Sequence, residues 1–219
     1  PIMCNNGCIV PQPGYLQKMR ELCNQYNITL ILDEVITGCR AALGGAQQFY
    51  GITPDLSIFA KAIASGYPIS AIVGKKDWMN LIVEGKVIHA GTMNSSNATV
   101  AAAVGTIEVL ETGNVYEHIF SLGQQLMTGL QKIGKDNNSN LLVQGLGPMF
   151  HMGFTSLSSV NDYRDTLSYD KLKLNTFIAG MHDRGIRIIG RGLWYISAAH
   201  TEQDIEIALA TAATVFKQL

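Results

Sequence analysis

The sequence predicts an α/β fold followed by a smaller α+β region, and three observations carry the prediction. Two short runs, Ile28–Leu32 and Leu56–Ala60, are predominantly apolar, the texture of strands buried on both faces of a mainly parallel sheet with helices on either side. Between them Thr37–Gly51 forms a Gly/Ala-rich crossover, which parallel strands require. Past residue 140 the texture changes: LLVQGLGPMFHMGF reads as two antiparallel strands broken at Gly147-Pro148. The boundary falls near Glu111–Asn114, giving one domain over residues 1–112 and a second over 113–219.

In order along the chain, Pro11-Gln12-Pro13-Gly14 is a turn signal. Tyr15, Leu16, Met19, Leu22, Cys23 and Tyr26 then share one helical stripe, which Asn27 ends. Thr53-Pro54-Asp55 is a turn before the second strand, and Ser70–Val73 is a third, entered through Gly66-Tyr67-Pro68. Asp77–Ile82 reads as helix and Lys86–His89 as a brief extended piece. Asn97–Glu111 is an alanine-rich helix whose small residues suit close packing. Tyr116–Ile133 is another, with Ile119, Leu122, Leu126, Leu130 and Ile133 on its apolar face. KDNNSN at 135–140 is the most polar loop, and 156–166 is also loop. A helix spans Tyr169–Arg184 and stops at Gly185, and IRII and WYIS read as strands around Gly190-Arg191-Gly192. Thr201, with Asp204 three residues on, caps the last helix in a near capping box.

Composition excludes several roles. With 47% hydrophobic and 15% charged residues over 219, the chain can bury a proper core. Sixteen basic against seventeen acidic residues offer no attraction to nucleic acid or an anionic membrane. There is no apolar run of transmembrane length and no signal-peptide layout, so a cytoplasmic setting is expected. Cys4, Cys8, Cys23 and Cys39 form no zinc set and are expected as reduced thiols. The opening Pro1-Ile2-Met3 reads as mid-domain.

Two residues suggest chemistry. Lys61 follows an apolar strand beside Ala60, Ala62 and Ile63; partial desolvation there would disfavour its ammonium form, as a Schiff-base lysine needs. Asp33 ends the preceding strand, at the edge where open α/β sheets bind ligands. An acid and a lysine so placed suit pyridoxal phosphate, whose pyridine nitrogen wants a carboxylate partner and whose carbonyl carbon wants an amine.

DEVITG-(C)-R, ALGGAQ, YGITPDL, FAKAIASGYP and HAGTMNSSN together resemble the fold-type I, class III aminotransferases, nearest to the glutamate-1-semialdehyde aminomutase branch. The likeness covers nearly the whole chain, from PIMCNNGCIVPQPGYLQKMREL to the closing AHTEQDI, and identifies it as the carboxyl-terminal half of such an enzyme. The resemblance implies that residues 1–112 are the later part of a pyridoxal-phosphate-binding large domain and that 113–219 are the small domain. It implies that Lys61 carries the cofactor, Asp33 binds its ring nitrogen, and Val35 packs on its ring. It further implies that Gly91 permits close backbone approach and that Thr92 reaches the phosphate of the partner's cofactor in a homodimer. The phosphate loop and the ring-stacking aromatic of the family lie upstream of residue 1.

The chain departs from the family pattern at three places. Ala64-Ser65 replaces glycines after the lysine, and Cys39 replaces an aromatic. GRGLWY stands where the mutase branch carries an acidic, aromatic segment. The lost acid favours an ordinary transaminase, with β- or D-amino acids among its candidate substrates. Arg191 would suit a substrate carboxylate, with Trp194 and His89 as further candidates for lining the pocket. An intramolecular aminomutase and an aminotransferase domain of a larger synthase acting on a carrier-bound substrate are the alternatives. His151 is read as a satisfied core histidine and His200 as structural.

Overall fold

The computed structural model describes residues 1–219. The chain divides into two compact units, one of Pro11–Tyr116 with Pro1, the other of Ile2–Val10 with Glu117–Leu219.

In the first unit, α1 (Tyr15–Gln25) buries Leu16 and Cys23 against Leu30, Leu32 and Ile52, with Met19 and Tyr50 packed alongside. Each leucine buried in this way stabilises by about 2 kcal/mol. The buried stripe is narrower than the sequence suggests, because Tyr15, Leu22 and Tyr26 stay exposed. Asn27 does stop the helix: it takes a left-handed φ of 52°, and the Ile28 N–H returns to the Cys23 carbonyl at 2.8 Å, closing a Schellman-type end.

That closure moves the first strand. β1 is Ile31–Glu34, three residues later than expected, because Asn27 and Ile28 finish the helix and the Leu30 N–H is bound by Asp55 Oδ2 at 2.7 Å. α2 (Gly45–Tyr50) lies in the crossover to β2 (Leu56–Phe59), which pairs parallel to β1 with Asp33 opposite Ile58. β3 (Ala71–Gly74) pairs antiparallel to β2, so the sheet is mixed, in the order β1-β2-β3. The expectation of strands covered on both faces fails for β1. Leu32 and Glu34 are buried, whereas Ile31 and Asp33 on the other face are exposed.

α3 (Lys76–Val83) and α4 (Asn97–Thr112) follow the predicted helices closely. Lys86–His89 forms no strand. The N–H groups of Lys86 and Val87 instead return to the Leu81 carbonyl at 2.9 and 3.0 Å and close the end of α3.

The second unit is α+β. α5 (Val115–Asp136) buries Ile119, Leu122, Leu126 and Leu130. β4 (Leu141–Leu146) and β5 (Met149–Phe154) form the predicted hairpin, and β6 (Leu193–Tyr195) joins the far edge of β5 antiparallel. α6 (Lys171–His182) is capped by Asp170, which accepts the Lys173 N–H at 2.9 Å. α7 (Glu202–Phe216) carries the capping box: Thr201 Oγ1 accepts the Asp204 N–H, and Asp204 Oδ2 accepts the Thr201 N–H at 2.8 Å. Phe154, Phe177 and Phe216 pack edge-on or tilted, with centroids 5.3 to 6.3 Å apart.

IRII does not become a strand. Only Ile189 bridges Leu193, because the His182 ring sits against the Ile188 backbone: Nε2 lies 3.1 Å from its nitrogen and 2.8 Å from its carbonyl oxygen, and bonds one of them according to its tautomer. All four cysteines are free and buried. No helix is long and apolar enough to cross a membrane.

Candidate active site

Two neighbouring residues of β1 divide the work of this region. Because strand side chains alternate, Asp33 faces outward and is exposed, while Glu34 faces inward with no accessible surface. A buried carboxylate is tolerable only with hydrogen bonds, and Glu34 has several. It accepts the N–H groups of Ala46 and Gln47 at 2.9 and 2.7 Å and the hydroxyl of buried Thr37. The amides lie in the first turn of α2, so Glu34 also meets the positive end of that helix. Gln47 in turn accepts the Ser57 hydroxyl at 3.1 Å, tying α2 to β2.

Above this buttress, Asp33 Oδ1 accepts the Val35 N–H at 2.9 Å. The bond turns the chain at the strand end, and Asp33 makes no ion pair. Val35 is half-buried. On the adjacent parallel strand, Ala60 is extended after β2, and Lys61 then opens a 3₁₀ turn over Lys61–Ala64. Lys61 has a φ of 52°, in the left-handed region that costs a side-chain-bearing residue conformational energy. Ser65 ends the turn at φ 48°, and its hydroxyl lies 3.1 Å from that of Thr106 on α4. The expected desolvation of Lys61 is not found in this chain. The residue is exposed and makes no ion pair, since only Ala64 of the turn is buried. Asp33 and Lys61 therefore stand at the same end of two hydrogen-bonded parallel strands, both exposed and not paired with each other.

Gly91 and Thr92 lie in turns before α4, where the Asn94 N–H donates to the Gly91 carbonyl at 3.0 Å. Both residues are exposed, as is His89. Cys39 is buried, with its thiol pushed up by burial and then by the Glu34 charge. Its carbonyl accepts the Tyr116 hydroxyl at 3.2 Å.

Sequence reasoning missed two polar centres. One is the Glu34 cluster; the strict alternation of a strand, applied to Asp-Glu, would have sent one acid inward. The other is Asp55, buried beside Leu56. It holds Lys75 Nζ at 2.6 Å and Arg20 Nη1 at 2.8 Å and accepts the Leu30 N–H. Lys75, the Leu30 amide and Arg20 hold its carboxyl well below the usual carboxylate range.

The remaining candidates lie in the second unit. Arg191 is exposed and donates to Asn5 Oδ1 at 3.3 Å. Trp194 is a core residue, stacked on Phe150 with centroids 5.8 Å apart and rings 7° from parallel. His200 is structural: its Nδ1 accepts the Ser197 N–H at 3.0 Å, and its carbonyl lies 2.8 Å from His118 Nε2. His151 is buried as expected, but its Nδ1 has no partner, so it is not a satisfied core histidine.

Glutamate-1-semialdehyde 2,1-aminomutase of Desulfatibacillum aliphaticivorans is 37% identical over 222 residues, covering 100% of this chain and 52% of that protein. The crystal structure of an omega-transaminase from Sphaerobacter thermophilus superposes with a TM-score of 0.90 at 27% identity, over 96% of this chain and 49% of that one. A structure described as a transaminase with PLP bound gives 0.84 at 25% identity, over 97% and 49%. The chain thus spans about half the length of the relatives it matches. The family model described as aminotransferase class-III matches residues 1–213, and the chain belongs to the class-III aminotransferase family.

Proposed function

We infer that the full-length protein carrying this chain is a pyridoxal-phosphate-dependent aminotransferase that moves an amino group between an amino acid and a keto acid. The observation that carries the reading is the pair Asp33 and Lys61, exposed at one end of adjacent parallel strands and unpaired with each other. An acid and an amine exposed at the same end of two hydrogen-bonded strands suit the two ends of one ligand. Membership of the class-III family and the likeness to a transaminase with PLP bound support the same reading.

The residues fit this cofactor. Lys61 would hold it through Nζ, Asp33 would accept the proton-bearing ring nitrogen, Val35 would lie against the ring, and Gly91 and Thr92 would serve a phosphate. When bound, pyridoxal phosphate supplies the electron sink that makes a substrate α-proton acidic. Lys61 Nζ acts as the base that takes that proton from the α-carbon. Asp33 would hold the proton on the ring nitrogen by accepting a hydrogen bond from it. Glu34, Thr37 and α2 fix the strand end that aims Asp33.

In this reading residues 1–112 belong to the cofactor domain and 113–219 to the small domain. The enzyme is a cytoplasmic homodimer in which Thr92 serves the partner's phosphate. Of the substrate candidates, Arg191 and His89 are each exposed, whereas Trp194 is packed in the core.

A second reading, intramolecular amino transfer on glutamate-1-semialdehyde, is favoured by the 37% identical relative. Assaying the full-length protein with and without added keto acid separates the two. Turnover that requires the keto acid supports the aminotransferase, and turnover of glutamate-1-semialdehyde without it supports the mutase. Loss of both activities in a protein that does not bind the cofactor contradicts the assignment.

A further inference from the structure

The turn that presents Lys61 is weakly held from within. Ala62, Ile63 and Ala64 carry no polar side chain. Its backbone bonds are long: the Ile63 N–H donates to the Ala60 carbonyl at 3.3 Å and the Ser65 N–H to the Ala62 carbonyl at 3.3 Å, beyond the usual range for such bonds. Lys61 and Ser65, at its two ends, have φ of 52° and 48°. Each is a left-handed conformation that costs a residue with a β-carbon about 1 kcal/mol or more. A turn strained at both ends and loosely bonded between them needs support from outside.

Ser65 is the first polar side chain after the lysine. Glycine would take its φ without strain, so serine there asks for a contact that glycine does not make. The Ser65 hydroxyl has one, 3.1 Å from Thr106 Oγ1 on α4. Thr106 is itself fixed, because its hydroxyl donates to the Ala102 carbonyl at 2.7 Å, one turn back on the same helix. α4 packs against the turn, and Ala64, just before Ser65, has no accessible surface. The end of the turn away from Lys61 is therefore anchored by one sealed methyl group and one pair of hydroxyls.

We propose that Ser65 and Thr106 are positioning residues for Lys61, their hydroxyl pair pinning the end of the strained turn to α4 and so fixing where Nζ stands. The role rests on the reading of Lys61 as the residue that holds the cofactor and moves the proton. Proton transfer needs its partners within hydrogen-bond reach. The lysine amine rides on a flexible four-carbon stem, so the backbone beneath it is the part of its path that the fold controls.

The test uses the full-length protein with Ser65→Ala, Thr106→Val, both together, and Thr106→Ser, which keeps the hydroxyl. In the cofactor-free protein, hydrogen exchange of the peptide spanning residues 61–67, read by mass spectrometry, should quicken about threefold or more in Ser65→Ala and in Thr106→Val, near the worth of one net hydrogen bond. Circular dichroism should stay unchanged. With pyridoxal phosphate added, the visible absorption of lysine-bound cofactor is followed against pH. Its midpoint should move by about half a unit or more in the same two variants, because the proton affinity at Nζ depends on how the lysine chain is turned against the ring. The double variant should move no further than either single one, since both break one contact, and Thr106→Ser should restore the parent midpoint.

Parent-like exchange in Ser65→Ala and Thr106→Val overturns the proposal. Faster exchange with an unmoved midpoint does so too, because the pair would then be merely structural, as does a double variant whose shift is the sum of the two singles. A parent protein without lysine-bound absorption contradicts the proposed function, and the positioning role falls with it. Absorption present in the parent and unmoved in the variants removes the positioning role alone.

Discussion

Gly45 stands so close to Glu34 that a β-carbon on it would lie 2.6 Å from the Glu34 carboxylate oxygen Oε2. Gly45 also has a φ of 80°, which side-chain-bearing residues rarely adopt. The glycine thus lets the α2 amides close on the one buried acid of β1. Gly45→Ala should cost the first unit about 3 kcal/mol, read as a lower urea midpoint in the full-length protein. A change within about 0.5 kcal/mol would show that the Glu34 cluster is not a close-packed anchor.

Asp33, one residue earlier, should behave in the opposite way. It is exposed, and its one bond is to the Val35 amide. Asp33→Asn should change stability by less than about 0.5 kcal/mol and lower amino transfer by about a hundredfold or more. A variant with full turnover would remove Asp33 from the cofactor site.

Asp55 joins α1, β2 and the start of α3 through Arg20 and Lys75. Its folded carboxyl titrates below the ordinary value of 3.8, so the unfolded chain binds the proton more readily. The stabilisation is complete above that value and is lost as pH falls through the lowered range. Asp55→Asn should cost about 3 kcal/mol at neutral pH, because the partly buried Arg20 loses its acid. The difference from the parent protein should shrink on acidification below pH 3.8. A difference that stays constant would contradict the pairing.

His151 provides an independent pH test in the second unit. Burial lowers its pKa from 6.5 to about 4, so the folded state resists the proton that the unfolded state accepts. Its neutral form is fully compatible with folding above pH 6.5, and stability drains as pH falls from 6.5 toward 4. The loss amounts to about 3 kcal/mol at the bottom of that window. His151→Phe should flatten this part of the stability curve, as measured by urea unfolding at stepped pH.

Much of this arrangement can be read in the sequence, because local chemistry decides it. Asn27 ends α1, Gly147-Pro148 turns the hairpin and Thr201 with Asp204 caps α7, each through bonds to near neighbours. Departures arise where side chains intercept the backbone. Asp55 takes the Leu30 N–H and His182 occupies Ile188, and neither contact is visible in hydrophobic periodicity. The acid and lysine were legible as strand-end residues, whereas the Glu34 buttress depends on which face of β1 meets α2. The exposure of Lys61 likewise depends on what packs around the 3₁₀ turn, and the composition of that turn alone suggested burial.

The central claim is that Lys61 holds the cofactor and moves the proton. The direct measurement compares visible absorption and amino transfer in the full-length protein and its Lys61→Ala variant. The account predicts a folded variant that lacks the absorption of lysine-bound cofactor and has lost at least about a thousandfold in turnover. A Lys61→Ala protein that transfers amino groups at the normal rate would contradict it.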